Sequence, residues 1–369
     1  MREVDISIVT YRPDIALLEQ LLASLAGSTR QALARHLFIQ DNGPNAQWAT
    51  QRAALANLGA IGAFESFELN HSETNLGFGR GHNANAARGS APFILVLNQD
   101  CIVEPETLEP LLEAAERDHE RVAVWEMRQI PYEHPKDYDP VTLETSWVSA
   151  AAVLIRRASF EEVGGFEPRI FMYGEDVDLS WRLRARGWRL TYQPRYAVVH
   201  RSYRVAHEVK PLQVLGGVLT NLGLRARYGG VFGTLKGLAM LGVEILAPQS
   251  FPGRRWGLVK AGLAFLVRWP YFVWTAVRPS AHFKPHFVGW GYELRRDGAF
   301  HEFASKREHP HRPQPMVSIL IRTVDRPAWL REALTSCANQ TYRHLEVVVI
   351  EDGPERSRAI IEEFRDRLA

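Results

Sequence analysis

The chain has 369 residues, enough for two or three domains with a sizeable core. At 46% hydrophobic and 23% charged it has a globular composition, and a net charge of +2 gives no basis for binding a polyanion such as nucleic acid. Two distant cysteines, Cys101 and Cys337, exclude a disulfide scaffold, and the opening "MREVDISIVTY" is too short for a signal peptide, so a cytoplasmic protein is expected.

In chain order, Val4–Tyr11 reads as a buried strand and Ile15–Leu25 as an amphipathic helix with Leu17, Leu18, Leu21, Leu22 and Leu25 on one side. A strand at Leu37–Gln40, a helix at Trp48–Leu58 and a strand near Phe67–Leu69 follow. A glycine-rich loop enters a helix near Gly81–Arg88. Next come the apolar strand "FILVL" at Phe93–Leu97, a helix opened by Pro105, and a strand at Val122–Trp125. This alternation predicts an α/β fold: a mostly parallel sheet with helices on both faces. Arg128–Thr145 turns to Pro, Tyr, His and Asp and reads as a loop over one end of the sheet, a mobile lid by hypothesis. Val148–Ile155 returns to strand. "GEDVDLSWRLRARGW" (Gly174–Trp188) follows, then a strand ending at His200. Acids at the start of that helix and bases at its end match the helix dipole, and Asp178 and Arg182 stand at i,i+4. Taken alone, the stretch is a well-capped surface helix.

Lys210–Pro279 is apolar and aromatic, punctuated by Gly and Arg. Leu258–Val277 has about the length of a membrane span, but Lys260, Arg268 and Pro270 make a span costly. A helix lying in a membrane interface and a buried helical pair packed on the first domain fit equally well. His301–Pro315 reads as a linker. Beyond it, "VSILIRTVDRPAWLREALTSC" resembles "DISIVTYRPDIALLEQLLASL", and "VVIEDGP" resembles "LFIQDNGP". The expected division is a first domain at 1–208, a helical segment at 209–300, a linker at 301–315, and the start of a second, similar domain at 316–369 that continues in a longer protein.

Ligands of open α/β sheets bind at the carboxyl ends of strands. Three such ends are polar here: Thr10 and Tyr11, then Asp41 and Asn42 in "QDNG", then Asn98 and Asp100 in "NQD". A strand-end carboxylate that meets a diphosphate calls for Mg²⁺ or Mn²⁺ between them, whereas a lone Asp more often caps a turn or helix. "NLGFGRGHNANAARG" (Asn75–Gly89) lacks the spacing of a dinucleotide fingerprint, but its backbone can approach a nucleotide and Arg80 can reach a phosphate.

The ordered set "ISIVTYRP", "QDNG", "NLGFGRGHNANA", "LVLNQD", "GGFEPRIFMYGEDVDLSWRLRARGW" and "AVVH" resembles the inverting glycosyltransferase family 2, of GT-A fold, and within it the bacterial rhamnosyltransferase-like members. The resemblance covers Val4 to about His200, and the stretch from Val317 resembles the opening of another such domain. It implies donor binding by Thr10, Tyr11, Arg12 and Asp41, by Asn75, Gly77, Arg80 and Asn83 of the glycine-rich loop, and by Asn98 and Asp100. Asp100 stands where the family has its metal motif, with Asn in the first position, and His200 completes the metal site for Mg²⁺ or Mn²⁺. Asp176 is implied as the base, with Glu175 as the competing acid. Asp178, Arg182, Arg184 and Arg186 are then mostly helix electrostatics and surface.

Those roles suit inverting transfer, which needs a base facing the acceptor hydroxyl and positive charge on the leaving diphosphate. The expected partners are a nucleotide-sugar donor, dTDP-L-rhamnose first, and a bacterial surface glycan on a lipid carrier, with peripheral contact at the inner face of the cell membrane. Three alternatives stand beside this reading: the same chemistry with a UDP-hexose or UDP-galactofuranose donor, a nucleotidyltransferase, and a non-catalytic module that binds a glycan or nucleotide. The nucleotidyltransferase lacks the Lys-bearing loop it would need after the first strand.

Overall fold

A computed structural model describes residues 2–28, 33–43, 48–58, 64–131, 133, 138–139, 142–202, 208–277, 283–285, 287, 315–340 and 342–368. In chain order the elements of the first unit are β1 (Arg2–Thr10), α1 (Ile15–Gly27), β2 (Leu33–Asn42), α2 (Trp48–Leu58), β3 (Ser66–Ser72), α3 (Phe78–Ala86), β4 (Phe93–Asn98) and β5 (Cys101–Val103). They continue as α4 (Leu108–Arg117), β6 (Val122–Ile130), β7 (Ala152–Arg156), α5 (Arg157–Glu162), α6 (Glu175–Ala185) and β8 (Arg189–His200).

Eight strands form one sheet in the order β3-β2-β1-β4-β7-β6-β8-β5. β1 runs parallel to β2 and β4, and β2 to β3, whereas β7 is antiparallel to both β4 and β6. Both faces are covered, as the strand residues dictate. Along β4, Leu95 and Leu97 enter the core beneath α1 and α4, while Ile94 and Val96 enter the core beneath α3, α5 and α6. Asp14 starts α1 by accepting the Leu17 amide at 3.2 Å, and Leu18, Leu21, Leu22 and Leu25 then fall on its buried side.

Two expected elements differ. β6 runs on to Ile130, so Arg128 and Gln129 are buried strand rather than the start of a loop. Strand polarity hid this: both are polar but have partners inside, Gln129 facing His200. The Val148–Ile155 strand begins only at Ala152. The amides of Ser149 and Ala150 are directed to the carboxylates of Glu126 and Asp176 instead of to a ladder. Of the expected lid, residues 132, 134–137 and 140–141 lie outside the described residues; Tyr138 and Glu144 bridge to Thr145 and to Thr191 of β8.

After β8 come two long helices, α7 (Pro211–Leu246, kinked at Gly230) and α8 (Arg254–Trp274), which pack on each other. α7 is long and apolar enough to cross a membrane. Its residues Thr220–Tyr228 are buried, with Leu224 and Tyr228 meeting Val177 and Trp181 of α6. The pair is therefore packed on the first unit along one side. Phe232, Leu246, Val267 and Trp274 are each more than 80% exposed on the rest.

The last unit holds β9 (Val317–Thr323), α9 (Pro327–Ala338), β10 (Leu345–Glu351) and α10 (Arg358–Leu368), with β9 and β10 parallel and Leu330, Leu334, Ile360 and Phe364 in its core. The expected linker lies outside the described residues apart from Pro315.

Candidate active site

The parallel register puts the ends of β1, β2 and β3 side by side: Thr10 pairs with Asp41, and Asp41 with His71. Thr10 Oγ1 donates to Asp41 Oδ1 at 2.7 Å, and His71 Nδ1 lies 3.0 Å from Asp41 Oδ2. Asp41 is thus a buried carboxylate fixed by two neighbours. Tyr11 stands exposed above it, its ring against Gly43, with the Arg12 guanidinium 5.3 Å from the ring centre. His71 escaped the sequence reading, although a parallel β3 had to set residue 71 beside residue 41.

The glycine-rich loop is held tightly rather than left open. Asn75 Oδ1 accepts the Gly77 amide at 2.9 Å, and Asn42 Nδ2 donates to the Gly77 carbonyl at 3.2 Å. Gly77 has φ +80°, and a Cβ there would collide with the Phe171 carbonyl oxygen, so both conformation and contact require glycine. Arg80 Nε donates to Leu76 O at 3.0 Å from an exposed position. The amide of Asn83 is taken on both sides by the Phe166 backbone, at 2.8 Å each way, which makes it a clamp between α3 and the loop before α6. His82 is buried against Ser7, and burial pushes its imidazole down to about 3, leaving it a neutral packing group.

At the end of β4, β5 folds back on β8 and pairs Cys101 with His200, which delivers His200 to Asp100. His200 Nε2 lies 3.3 Å from Asp100 Oδ1 and 3.3 Å from Asn98 Nδ2, and Gln129 Oε1 faces Nδ1 at 2.7 Å. With that amide orientation the ring carries its proton on Nδ1 and accepts at Nε2. Two acceptors facing each other call for a cation between them. Neighbouring ligands on an octahedral shell of about 2.1 Å bonds stand about 3 Å apart, so Asp100 and His200 fit Mg²⁺ or Mn²⁺. Cys101 completes a group of three potential ligands. Burial pushes its thiol well up, and its sulfur meets the Ala151 carbonyl, so it suits the core better than a hard ion.

The three acids of α6 have three environments. Tyr173 and Gly174 both have positive φ, 71° and 96°, and this bend starts the helix at Glu175. Glu175 is buried with Oε2 unpartnered; burial first, then the Asp176 charge, pushes its carboxyl up to about 8. Asp176 is half-buried, and accepts the Val177 amide at 2.8 Å and the Ala150 amide at 3.3 Å. Asp178 is wholly buried, bound to Arg182 and to Arg227 of α7 at 2.7 Å each, with Arg227 also on Glu167 at 2.5 Å. The expected surface helix is therefore largely interior, and Asp178 ties α7 to it. Arg184 reaches the Ser146 carbonyl, and only Arg186 is an exposed base.

Two consecutive residues join the two halves of the site: Ala150 N donates to Asp176, and Ala151 O accepts from Asn98 N at 2.8 Å. Asp176 and the Asn98–Asp100–His200 group are thus set by adjacent residues.

Against known proteins, the sequence profile of Glycosyl transferase family 2 matches residues 5–177 and again 318–368. The chain is 30% identical to an N-acetylglucosaminyl-diphospho-decaprenol L-rhamnosyltransferase of Mycobacterium tuberculosis, over 52% of this chain and 74% of that protein. It is 39% identical to rhamnosyltransferase WbbL of Escherichia coli over 15% of this chain and 22% of that one. Among solved structures, GalNAc-T7 with UDP, GalNAc and Mn²⁺ is similar at TM-score 0.51 and 13% identity, over 75% of this chain and 58% of that one. The mixed sheet is a GT-A fold, and the chain belongs to glycosyltransferase family 2.

Proposed function

We propose that this glycosyltransferase transfers L-rhamnose from dTDP-L-rhamnose, with inversion, to a hydroxyl of a glycan carried on a lipid diphosphate. Family membership supports the reaction class, and the similarity to an L-rhamnosyltransferase acting on a diphospho-decaprenol supports donor and acceptor. The observation that carries the mechanism is the tie through Ala150 and Ala151 between Asp176 and the end of β4.

In that mechanism the acceptor oxygen attacks the anomeric carbon as the bond from that carbon to the diphosphate oxygen breaks. The hydroxyl proton passes to the Asp176 carboxylate, and the nucleoside diphosphate leaves. Asp176 suits the task because two amides hold its carboxylate and it opens a helix N-terminus. Glu175, protonated near neutrality and buried, is not available as a base there. Thr10 and His71 orient Asp41 toward the nucleoside, under Tyr11. Asp100 and His200 would hold a divalent ion, which supplies positive charge to the leaving diphosphate.

Exposed Lys236, Arg255 and Lys260 accompany the exposed apolar residues of α7 and α8, which fits peripheral contact with an anionic membrane face. Residues 316–369 are read as the opening of a second module of the same family.

The test is nucleoside diphosphate release from dTDP-, UDP- and GDP-sugars with a lipid-diphosphate acceptor, comparing Mn²⁺, Mg²⁺ and chelator, for the parent and Asp176→Asn. Release from dTDP-rhamnose that chelator and substitution both abolish is the expected result. Release from a UDP-sugar alone keeps the mechanism and moves the donor. Donor binding without release over a broad acceptor set overturns the enzymatic reading.

A further inference from the structure

A groove of about 340 Å³ runs between the bend ahead of α6 and the two long helices. One wall is a helical stripe of α7: Leu212, Leu215 and Leu219. The other is a stripe of small residues on α8, Gly257, Ala261 and Ala264, and the floor is Phe171 and Met172. Its floor belongs to the segment that leads into α6. The Phe171 carbonyl accepts the Phe78 amide at the start of α3, and Glu175 and Asp176 follow within a few residues. A Cβ at Gly216 would stand 2.9 Å from the Met172 carbonyl oxygen, so α7 touches the bend itself.

The rim is cationic. Arg169, Lys260 and Arg268 line it, and none of the three has a carboxylate partner among the described residues: Arg169 lies 3.8 Å from the Tyr271 ring centre and Lys260 5.6 Å from that of Trp256. The basic residues that serve the fold are paired elsewhere, Arg227 with Asp178 and Glu167, and Arg254 with Glu244. An apolar trough with three uncompensated cations matches an amphiphile with an apolar chain and an anionic head.

We infer that this groove binds the isoprenyl diphosphate part of the acceptor, the chain along α7 and α8 and the diphosphate against Arg169, Lys260 and Arg268. The inference rests on the lipid-diphosphate acceptor of the proposed function.

Two measurements on the full chain test it. The first uses a photoreactive isoprenyl diphosphate alone, with no donor, and maps the labelled peptides. Labelling of 169–172 and 257–268, competed by decaprenyl diphosphate but not by phosphatidylglycerol vesicles, is expected. It should fall at least ten-fold in Ala264→Trp, which fills the trough, and in Lys260→Gln/Arg268→Gln, which alters only the rim and leaves the fold intact. Labelling elsewhere, equal competition by phosphatidylglycerol, or undiminished labelling in the rim variant overturns the inference.

The second compares N-acetylglucosaminyl diphosphate acceptors on a decaprenyl and on a four-carbon chain. Both variants should raise KM at least ten-fold for the long chain; Ala264→Trp should leave the short one within two-fold. Transfer with an unchanged long-chain KM in the rim variant overturns the groove and keeps the enzyme. Groove labelling without transfer from any donor keeps the groove and overturns the proposed function.

Discussion

Residues 2–10 and 317–323 open alike in sequence but sit in opposite surroundings. β1 lies between β2 and β4, and its residues Val4–Ile8 are all buried. β9 pairs only with β10 among the described residues, and Ser318, Leu320 and Arg322 lie exposed on one side of it. The contrast extends to the charges. Thr10 faces Asp41, a buried carboxylate with two fixed partners. Thr323 instead faces Glu351, whose carboxylate is taken by Ser357 and the Arg356 amide, and Asp352 meets Arg322 at the surface. The β-α-β opening supplies polar strand ends, and flanking strands turn them into a site. Removing a carboxylate should therefore matter greatly in the first unit and little in the second.

The largest effect is expected at Asp176. Asp176→Asn keeps the shape and removes the base, so turnover should fall about 10³-fold, within the usual 10²–10⁴ for general base loss. Nucleoside diphosphate release at saturating donor reads it, with the melting temperature held near the parent's. Retention of a tenth of parental turnover would take the base role away from Asp176.

Asp178 comes next, as a stability effect. Burial opposes its charge, and Arg182 and Arg227 overcome that and hold the carboxyl below its usual range. Asp178→Ala strands Arg227 in the interior with Glu167 as its remaining acid. The expected loss is about 3–5 kcal/mol by urea unfolding, as for other broken buried pairs. A loss under about 1 kcal/mol would mean that α7 does not depend on this tie.

These two neighbours show what the sequence discloses. The order of strand-end motifs from Thr10 to His200 disclosed the fold and which polar residues stand at neighbouring strand ends, because parallel strands must end together. It placed Asp178 at the surface of its helix, because the partner that buries it, Arg227, is 49 residues away on a helix whose own composition pointed equally to a membrane. Gln129 was hidden for a related reason: a polar pair inside a strand reads as loop until its partner, His200, is known. Asn83 stood in a motif stretch yet serves as a clamp, because only the fold brings Phe166 to it.

Glu175 gives a smaller effect with a defined sign. Its carboxyl rises from 4.5 to about 8, so between those values the folded chain keeps a proton that the unfolded chain has released. Stability from this group is full below pH 4.5, falls as pH rises toward 8 and is level above. Glu175→Gln stays neutral in both states. Its gain in unfolding free energy over the parent should be near zero at pH 4.5, grow to pH 8 and then stop, reaching at least about 1 kcal/mol. A gain independent of pH would show that the carboxyl titrates normally.

The smallest effect is expected at Asp352. Its partner Arg322 is 81% exposed at the side chain and Asp352 itself 45%. Water already solvates both charges, and holding two mobile side chains together offsets most of their attraction. A double-mutant cycle of Arg322→Ala and Asp352→Ala should give a coupling under about 0.5 kcal/mol, with nucleotide release unchanged in each variant. A coupling above about 1 kcal/mol needs a drier setting than β9 and β10 provide by themselves. It would mean that in solution the open side carrying Leu320 and Arg322 is covered, and that the second unit is closer to the first in character than their burial implies.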